Sequence, residues 1–298
     1  MSELEKQLEH DMSLLQLTGM RSCYQELAEK ASKSKLRYEE YLALLFEEEL
    51  RGKTERSVKT KIHKAKFPFV KTLEQFDFSF QPNLNEREVL RLSSLDFIEK
   101  GENLIFLGPP GVGKTHLAAA FGVKACQAKY RVLFTTVEAL LEELMISVRE
   151  GSIRSKLLSY SRLHLLILDE LGYTPINREQ AHLLFRLVCS RYEKGSLIIT
   201  SNYNFEDWGK VFEDLVSASA IIDRLVHHAH LFVINGSSYQ LKDKLKKGGE
   251  CSASKGAEEK EENNNFPGKR RKEVLAEHEK KQTTFLFSQA GGNAGKVL

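Results

Sequence analysis

Eight consecutive residues constrain this chain more than any others. Gly108-Pro109-Pro110-Gly111-Val112-Gly113-Lys114-Thr115 has the spacing GxxxxGK[ST]. Alone, such a stretch could be a glycine-rich turn with a chance lysine. Here it follows the apolar run LIFL (104–107) and precedes the helix-like run HLAAAFGVKA (116–125), the strand–loop–helix context that the motif requires. Glycines let backbone N–H groups converge on phosphate oxygens, and a helix N-terminus adds partial positive charge. Lys114 can reach the β and γ phosphates, and the Thr115 hydroxyl can bind Mg²⁺. Residues 108–115, with His116 closing the set, are the candidate nucleotide-binding residues.

The surrounding pattern agrees. Short apolar runs at 104–107, 132–136, 165–169, 196–200 and 231–234 alternate with helical patterns at 114–128, 138–158, 177–194 and 218–228. Nearly uninterrupted apolar strands separated by helices predict an α/β domain with a parallel sheet covered on both faces. Chemistry in such folds sits at the C-terminal strand ends. There LLILDE (165–170) ends in two carboxylates. Asp169 suits Mg²⁺, and Glu170 suits a base that activates water; the alternative is a solvated strand end. The run IITSN (198–202) ends in Asn202, which could contact a γ-phosphate or simply cap the next helix. Arg224, in IIDRLVHHAH, could be an exposed surface residue or a finger reaching a neighbouring subunit's phosphate. His227, His228 and His230 lack a Cys, Asp or Glu at ligand spacing, so helix-end and packing roles are expected rather than a zinc site.

The rest of the chain divides by composition. Residues 1–66 read as a small all-helical domain, with breaks at Gly19 and around 32–35. Residues 1–50 carry 6 basic and 11 acidic side chains, whereas residues 51–71 carry eight basic ones against Glu55 alone. In LRGKTERSVKTKIHKAK (50–66), Val58, Ile62 and Ala65 form one narrow helical stripe with lysines spread elsewhere. That face suits the phosphate backbone of duplex DNA, a solvated surface, or an acidic protein. Residues 67–100 read as a connector, with Phe67, Phe69, Phe76, Phe78 and Phe80 pinning it to a neighbour. Asn85 and Glu88 there suggest a capping box opening a helix toward Lys100. Residues 101–245 are the α/β domain. Residues 246–298, rich in Lys, Glu, Asn and Gly, are expected to be a disordered tail with a transient helix at 272–281.

Composition excludes other classes. Of 298 residues, 41% are hydrophobic and 29% charged, which is globular rather than fibrous composition. The net charge of +3 predicts no partner by itself. Four scattered cysteines form no CxxC pair, and no apolar run reaches the ~18 residues of a membrane span. A reducing, cytoplasmic setting is expected, without membrane attachment.

Four segments in order, LGPPGVGKTHLA, LLILDELGY, LIITSN and IIDRLVHHAH, resemble the IstB-like family of AAA+ ATPases. These are helper proteins of bacterial insertion sequences, related to DnaC-type helicase loaders. LLQLTGM, AKFP and LEQFDF extend the resemblance over roughly residues 10–245. It implies a five-stranded parallel sheet of order 5-1-4-3-2. It also implies Asn202 as sensor 1, Arg224 as a finger acting in trans, and an ATP-dependent homo-oligomer that presents double-stranded DNA to a cognate transposase. ATP and Mg²⁺ are the implied cofactors, and the implied reaction is DNA-stimulated ATP hydrolysis. A helicase loader preferring single strands is the alternative, and a nucleotide-gated binding protein without hydrolysis is another. Family members carry an arginine where this chain has Gln240.

Overall fold

The computed structural model describes residues 2–236 and 239. Gln240, the tail 246–298 and its proposed helix at 272–281 lie outside them. Three helices come first: α1 (Glu3–Leu14), α2 (Thr18–Lys33) and α3 (Tyr38–Lys64). A connector follows with two 3₁₀ turns, Leu73–Gln75 and Phe78–Phe80, then α4 (Glu86–Leu92) and α5 (Asp96–Glu99). Next come β1 (Asn103–Leu107), α6 (Lys114–Gln127), β2 (Val132–Thr136), α7 (Val137–Arg149), α8 (Ile153–Ser161) and β3 (Leu165–Leu171). The described elements end with α9 (Arg178–Arg191), β4 (Ser196–Ser201), α10 (Phe205–Val211), α11 (Leu215–Val226) and β5 (Ala229–Val233).

All strand pairs are parallel, and the sheet order is β2-β3-β4-β1-β5. Read from the other edge, this is 5-1-4-3-2, the AAA+ order that the sequence resemblance implied. Alternation along each strand feeds two cores. Leu104, Phe106, Leu165, Ile167 and Ile198 face α6 and the connector. Ile105, Leu107, Leu166, Leu168, Leu197 and Ile199 face α7 to α11. Each central strand is therefore apolar on both sides, which explains why its sequence reads as an unbroken apolar run.

Several boundaries differ from the sequence expectation. The first helical break falls at residues 15–17, not at Gly19, which is the second residue of α2. A Cβ on Gly19 would stand 2.8 Å from the Glu49 Cα, so glycine there permits a close approach of α3. The pattern at 138–158 is two helices, because Gly151, at φ +69°, turns the chain between α7 and α8. α10 had no sequence signal of its own, α11 covers 215–226 rather than 218–228, and β5 begins at Ala229. Asn85 caps α4 by accepting from Glu88 N at 3.2 Å, but the Glu88 carboxylate binds Arg91 at 2.6 and 2.9 Å. Only half of the capping box forms. The helix stops at Leu92 instead of reaching Lys100, and Leu95 adopts φ +71° before α5.

The 27-residue α3 changes partners along its length. Leu45 packs against Met20 and Tyr24 of α2. Twenty residues later, Ile62 and Ala65 join the core beneath the sheet, and Phe134 N donates to Ala65 O at 2.8 Å. Lys59, Lys64 and Lys66 stay exposed. Arg56 and Lys53 lean instead on Glu49, at 3.3 and 3.6 Å.

Candidate nucleotide site

The loop leaves β1 at its C-terminal end and turns into α6. Gly108, Gly111 and Gly113 have φ of +148°, +81° and +101°, conformations that disfavour any side chain. Contacts reinforce that need: a Cβ at Gly108 would lie 2.2 Å from Ile234 O, and one at Gly113 would lie 2.7 Å from the Phe76 ring. Gly113 is the N-cap of α6, so the first turn of that helix opens onto the loop.

Three strand ends meet there. The buried Lys114 Nζ donates to Gly108 O and Pro109 O, each at 2.8 Å, and to Asn202 Oδ1 at 2.7 Å. Asn202 therefore does not cap the following helix; α10 has Asn204 at its N-cap. Thr115 Oγ1 donates to the Asp169 carboxylate, 3.0 and 3.1 Å from its two oxygens. Thr200 Oγ1 contacts the same carboxylate at 2.5 Å. A cavity of about 480 Å³ opens over these groups, lined among others by Pro110, Gly111, Lys114, Thr115, Glu170 and Asn202.

Burial sets the electrostatics. It pushes the Lys114 amine down to about 8, against the attraction of Asp169 and Glu170. It raises Asp169 despite hydrogen bonds from Thr200 and Thr115. Glu170 is raised by partial burial and by the neighbouring Asp169 and Glu138 charges. Burial also lowers His116, whose Nε2 lies 3.2 Å from Thr72 O. Polyanionic phosphates entering here would meet a cation made costly by desolvation, and would relieve that cost.

The donor set fits Mg²⁺. Thr115 and Asp169 converge with hard oxygen donors, and magnesium favours one or two carboxylates completed by phosphate oxygens. Among the described residues, no group of three or more His, Cys, Asp or Glu is placed to hold a metal by itself. His227 pairs with Tyr192 Oη at 3.0 Å, His228 lies 3.6 Å from Glu193, and His230 Nε2 lies 2.9 Å from Glu102.

The remaining candidate stands apart. Arg224 shares a depression with Gly101, Asn103 and Gly195, at the N-terminal ends of β1 and β4. Its guanidinium lies 4.8 Å from the Phe185 ring centroid and donates to Ala220 O at 3.2 Å. Five residues of strand, roughly 16 Å at 3.3 Å each, separate this edge from the loop. Arg224 cannot serve the nucleotide site of its own chain.

The sequence missed the role of the connector. Phe76 packs on Gly113 and lies 5.3 Å from the His116 ring, and Phe69, Lys71, Gln75 and Phe80 line the cavity. Tyr239 N donates to Gly111 O at 2.9 Å, and its ring meets Phe80 at 5.2 Å. The aromatic spacing had signalled docking, but nothing in it pointed to the loop.

With this geometry in place, comparison with known proteins settles the family. The model of the family described as "IstB-like ATP binding protein" matches residues 10–247. The chain belongs to this family. It is 47% identical, over 81% of its own length and 91% of the relative's, to a Pseudomonas aeruginosa protein named as an ATP-binding protein of insertion sequence IS21. It is 40% identical to the corresponding IS5376 protein of Geobacillus stearothermophilus, covering 77% and 92%. Among solved structures, the crystal structure of the DnaC helicase loader matches with 26% identity and a TM-score of 0.41, covering 57% of this chain and 96% of that one. The loop, the cavity and the strand-end carboxylates are thus the candidate ATP site of an IstB-like protein.

Proposed function

We propose that this chain is an ATPase that assembles on double-stranded DNA and regulates target selection by the transposase of an insertion sequence. One observation carries the reading: residues from three strand ends, Lys114 with Asn202 and Thr115 with Asp169, converge beneath a cavity with Glu170 in its wall. The insertion-sequence names of the relatives support the biological setting.

In this mechanism Lys114 exchanges its carbonyl partners for the β and γ phosphates, while Asn202 keeps it aligned. Thr115 and Asp169 would hold Mg²⁺, which would supply neutralisation of phosphate charge. Glu170 takes a proton from a water whose oxygen bonds to the γ-phosphorus as the bond to the departing ADP oxygen breaks. Its raised affinity for a proton suits that task. Arg224, barred by distance from its own site, reaches the γ-phosphate of a neighbouring subunit, so nucleotide joins subunits and hydrolysis releases them. Phosphate contacts from the exposed lysines at the end of α3 bring DNA to the assembly and stimulate turnover. No helix among the described residues is long and apolar enough to cross a membrane.

Sedimentation with ATP and duplex DNA tests the reading. Glu170→Gln should trap an ATP-bound oligomer whose phosphate release falls at least a hundredfold. A chain that stays monomeric with both ligands, or normal turnover in Glu170→Gln, overturns it. Competition between duplex and single strands separates it from helicase loading.

A further inference from the structure

Thr200, inside the LIITSN segment, carries none of the roles assigned so far, yet it touches both acidic residues of the site. It is 1% exposed, on β4. Its hydroxyl donates to Asp169 Oδ1 at 2.5 Å and accepts from Glu170 N at 2.9 Å. A hydroxyl has one proton and two lone pairs, and here the proton and one lone pair are committed to consecutive residues.

The strand register shows why this matters. β3 pairs with β4 regularly from Leu165↔Ser196 to Leu168↔Ile199, then resumes at Leu171↔Ser201. Three steps on β3 match two on β4, which is a bulge carrying one extra residue. Glu170 sits in that bulge at φ +62°, the only non-glycine residue with positive φ inside a described strand. A regular strand would send Asp169 and Glu170 to opposite faces. Alternation already brings Asp169 to the face of Leu165 and Ile167, beside Thr115, and the bulge takes Glu170 off the opposite face and into the cavity wall. It also deprives the Glu170 N–H of a ladder acceptor, and Thr200 supplies one. Strained backbone persists only where its surroundings over-determine it.

We propose that Thr200 is a positioning residue for hydrolysis: its hydroxyl holds the bulge that aims Glu170 and fixes the Asp169 carboxylate beside Thr115. The methyl group of Thr200 restricts χ1 and keeps the hydroxyl on this bearing. The inference rests on the reading that Glu170 activates water.

The test uses Thr200→Val, which keeps shape and removes the hydroxyl, and Thr200→Ser, which keeps the hydroxyl. In the full-length protein, Thr200→Val should lower kcat ten- to a hundredfold and change KM for ATP less than threefold, while Thr200→Ser retains at least half of the turnover. Binding gives an independent readout. With a fluorescent ATP analogue in the Glu170→Gln background, adding Thr200→Val should raise the half-saturating Mg²⁺ concentration several-fold, and Thr200→Ser should not. Wild-type kcat in Thr200→Val overturns the proposal while leaving the ATPase reading intact. Equal losses in Val and Ser, accompanied by a matching fall in thermal midpoint, also overturn it by showing a packing role alone. Normal turnover in Glu170→Gln removes the underlying reading, whatever Thr200 does.

Discussion

Along the C-terminal ends of the strands, polar side chains are buried or half-buried and each is held from another element: Lys114 by Asn202, Thr115 by Asp169, Asp169 by Thr200. In the helices of residues 3–64 the pattern inverts. α1 buries no residue, the shared core is Met20, Tyr24 and Leu45, and Leu4, Leu14, Leu15, Phe46 and Leu50 are exposed. One region closes its interactions within the chain, and the other leaves apolar and charged surface open. Chemistry that needs sub-ångström placement sits in the first. Under the proposed function, assembly, which needs free surface, falls to the second and to Arg224 at the N-terminal ends of the strands. If the contrast is functional, damage to the two regions should separate cleanly.

The largest effect is expected at Gly113. Gly113→Ala forces a Cβ into a φ of +101° and to 2.7 Å from the Phe76 ring. ATP affinity should fall at least a hundredfold in equilibrium binding, with the helical content of the protein unchanged. A milder loss would mean that Phe76 yields and that the connector is not a fixed wall of the site. Next comes the basic end of α3. Replacing Lys59, Lys61, Lys64 and Lys66 together by Gln should weaken duplex binding about a hundredfold. It should also cut the slope of log K against log salt by about 0.9 for each phosphate that is no longer neutralised, with ATP binding intact. An unchanged slope would remove this helix from the DNA interface.

A smaller effect isolates the helical region itself. Glu49 is 3% exposed, accepts from Gly19 N at 2.7 Å and Met20 N at 3.0 Å, and so caps α2 from α3. Burial would raise its carboxyl, but those two bonds with Lys53 and Arg56 hold it below the usual range. Glu49→Ala should cost about 2 kcal/mol, as expected for hydrogen bonds to a charged group. Trp208, the single tryptophan, lies fully buried among residues of the sheet's other face. Its fluorescence therefore reports the α/β core while far-ultraviolet circular dichroism reports all helices. In Glu49→Ala the dichroism midpoint should drop and the Trp208 midpoint should not. Coincident shifts would show that the two regions unfold as one.

Legibility in the sequence follows the same division. The nucleotide edge could be read because its requirements are local: glycines that permit positive φ, a lysine at fixed spacing, and carboxylates at the end of an apolar run. Sheet order came from family resemblance, since parallel pairing leaves no local mark of which strand neighbours which. What escaped was non-local. Nothing around Phe76 says that it meets Gly113, and Thr200 looks like any polar residue ending a strand. The bulge at Glu170 appears only once β3 and β4 are laid in register. In the helical region the charge reversal at residue 51 was visible. Gly19 was misread as a helix breaker because its reason for being glycine lies thirty residues away, at Glu49.

The smallest effect tests whether the closed network at the nucleotide edge is tuned as well as placed. Burial pushes Lys114 from 10.5 to about 8. Below pH 8 its amine is already charged when phosphate arrives; above that pH the free protein holds it neutral, and nucleotide must bind together with a proton. ATP affinity should therefore fall as pH rises past about 8, approaching about tenfold per unit, until the bound-state value is reached. Calorimetry at about pH 8.5 in two buffers of different ionisation heat should show up to one proton taken up per ATP. Lys114→Met should bind weakly with neither slope nor uptake. Unfolding cannot imitate this result. Between about 8 and 10.5 the unfolded chain binds more protons at Lys114 than the native one, so this group makes the fold more stable as pH rises. Affinity and the Lys114 contribution to stability should move in opposite directions. The stability difference between wild type and Lys114→Met, followed against pH, isolates that contribution, and a difference that does not grow as pH rises past about 8 would place Lys114 outside that buried environment.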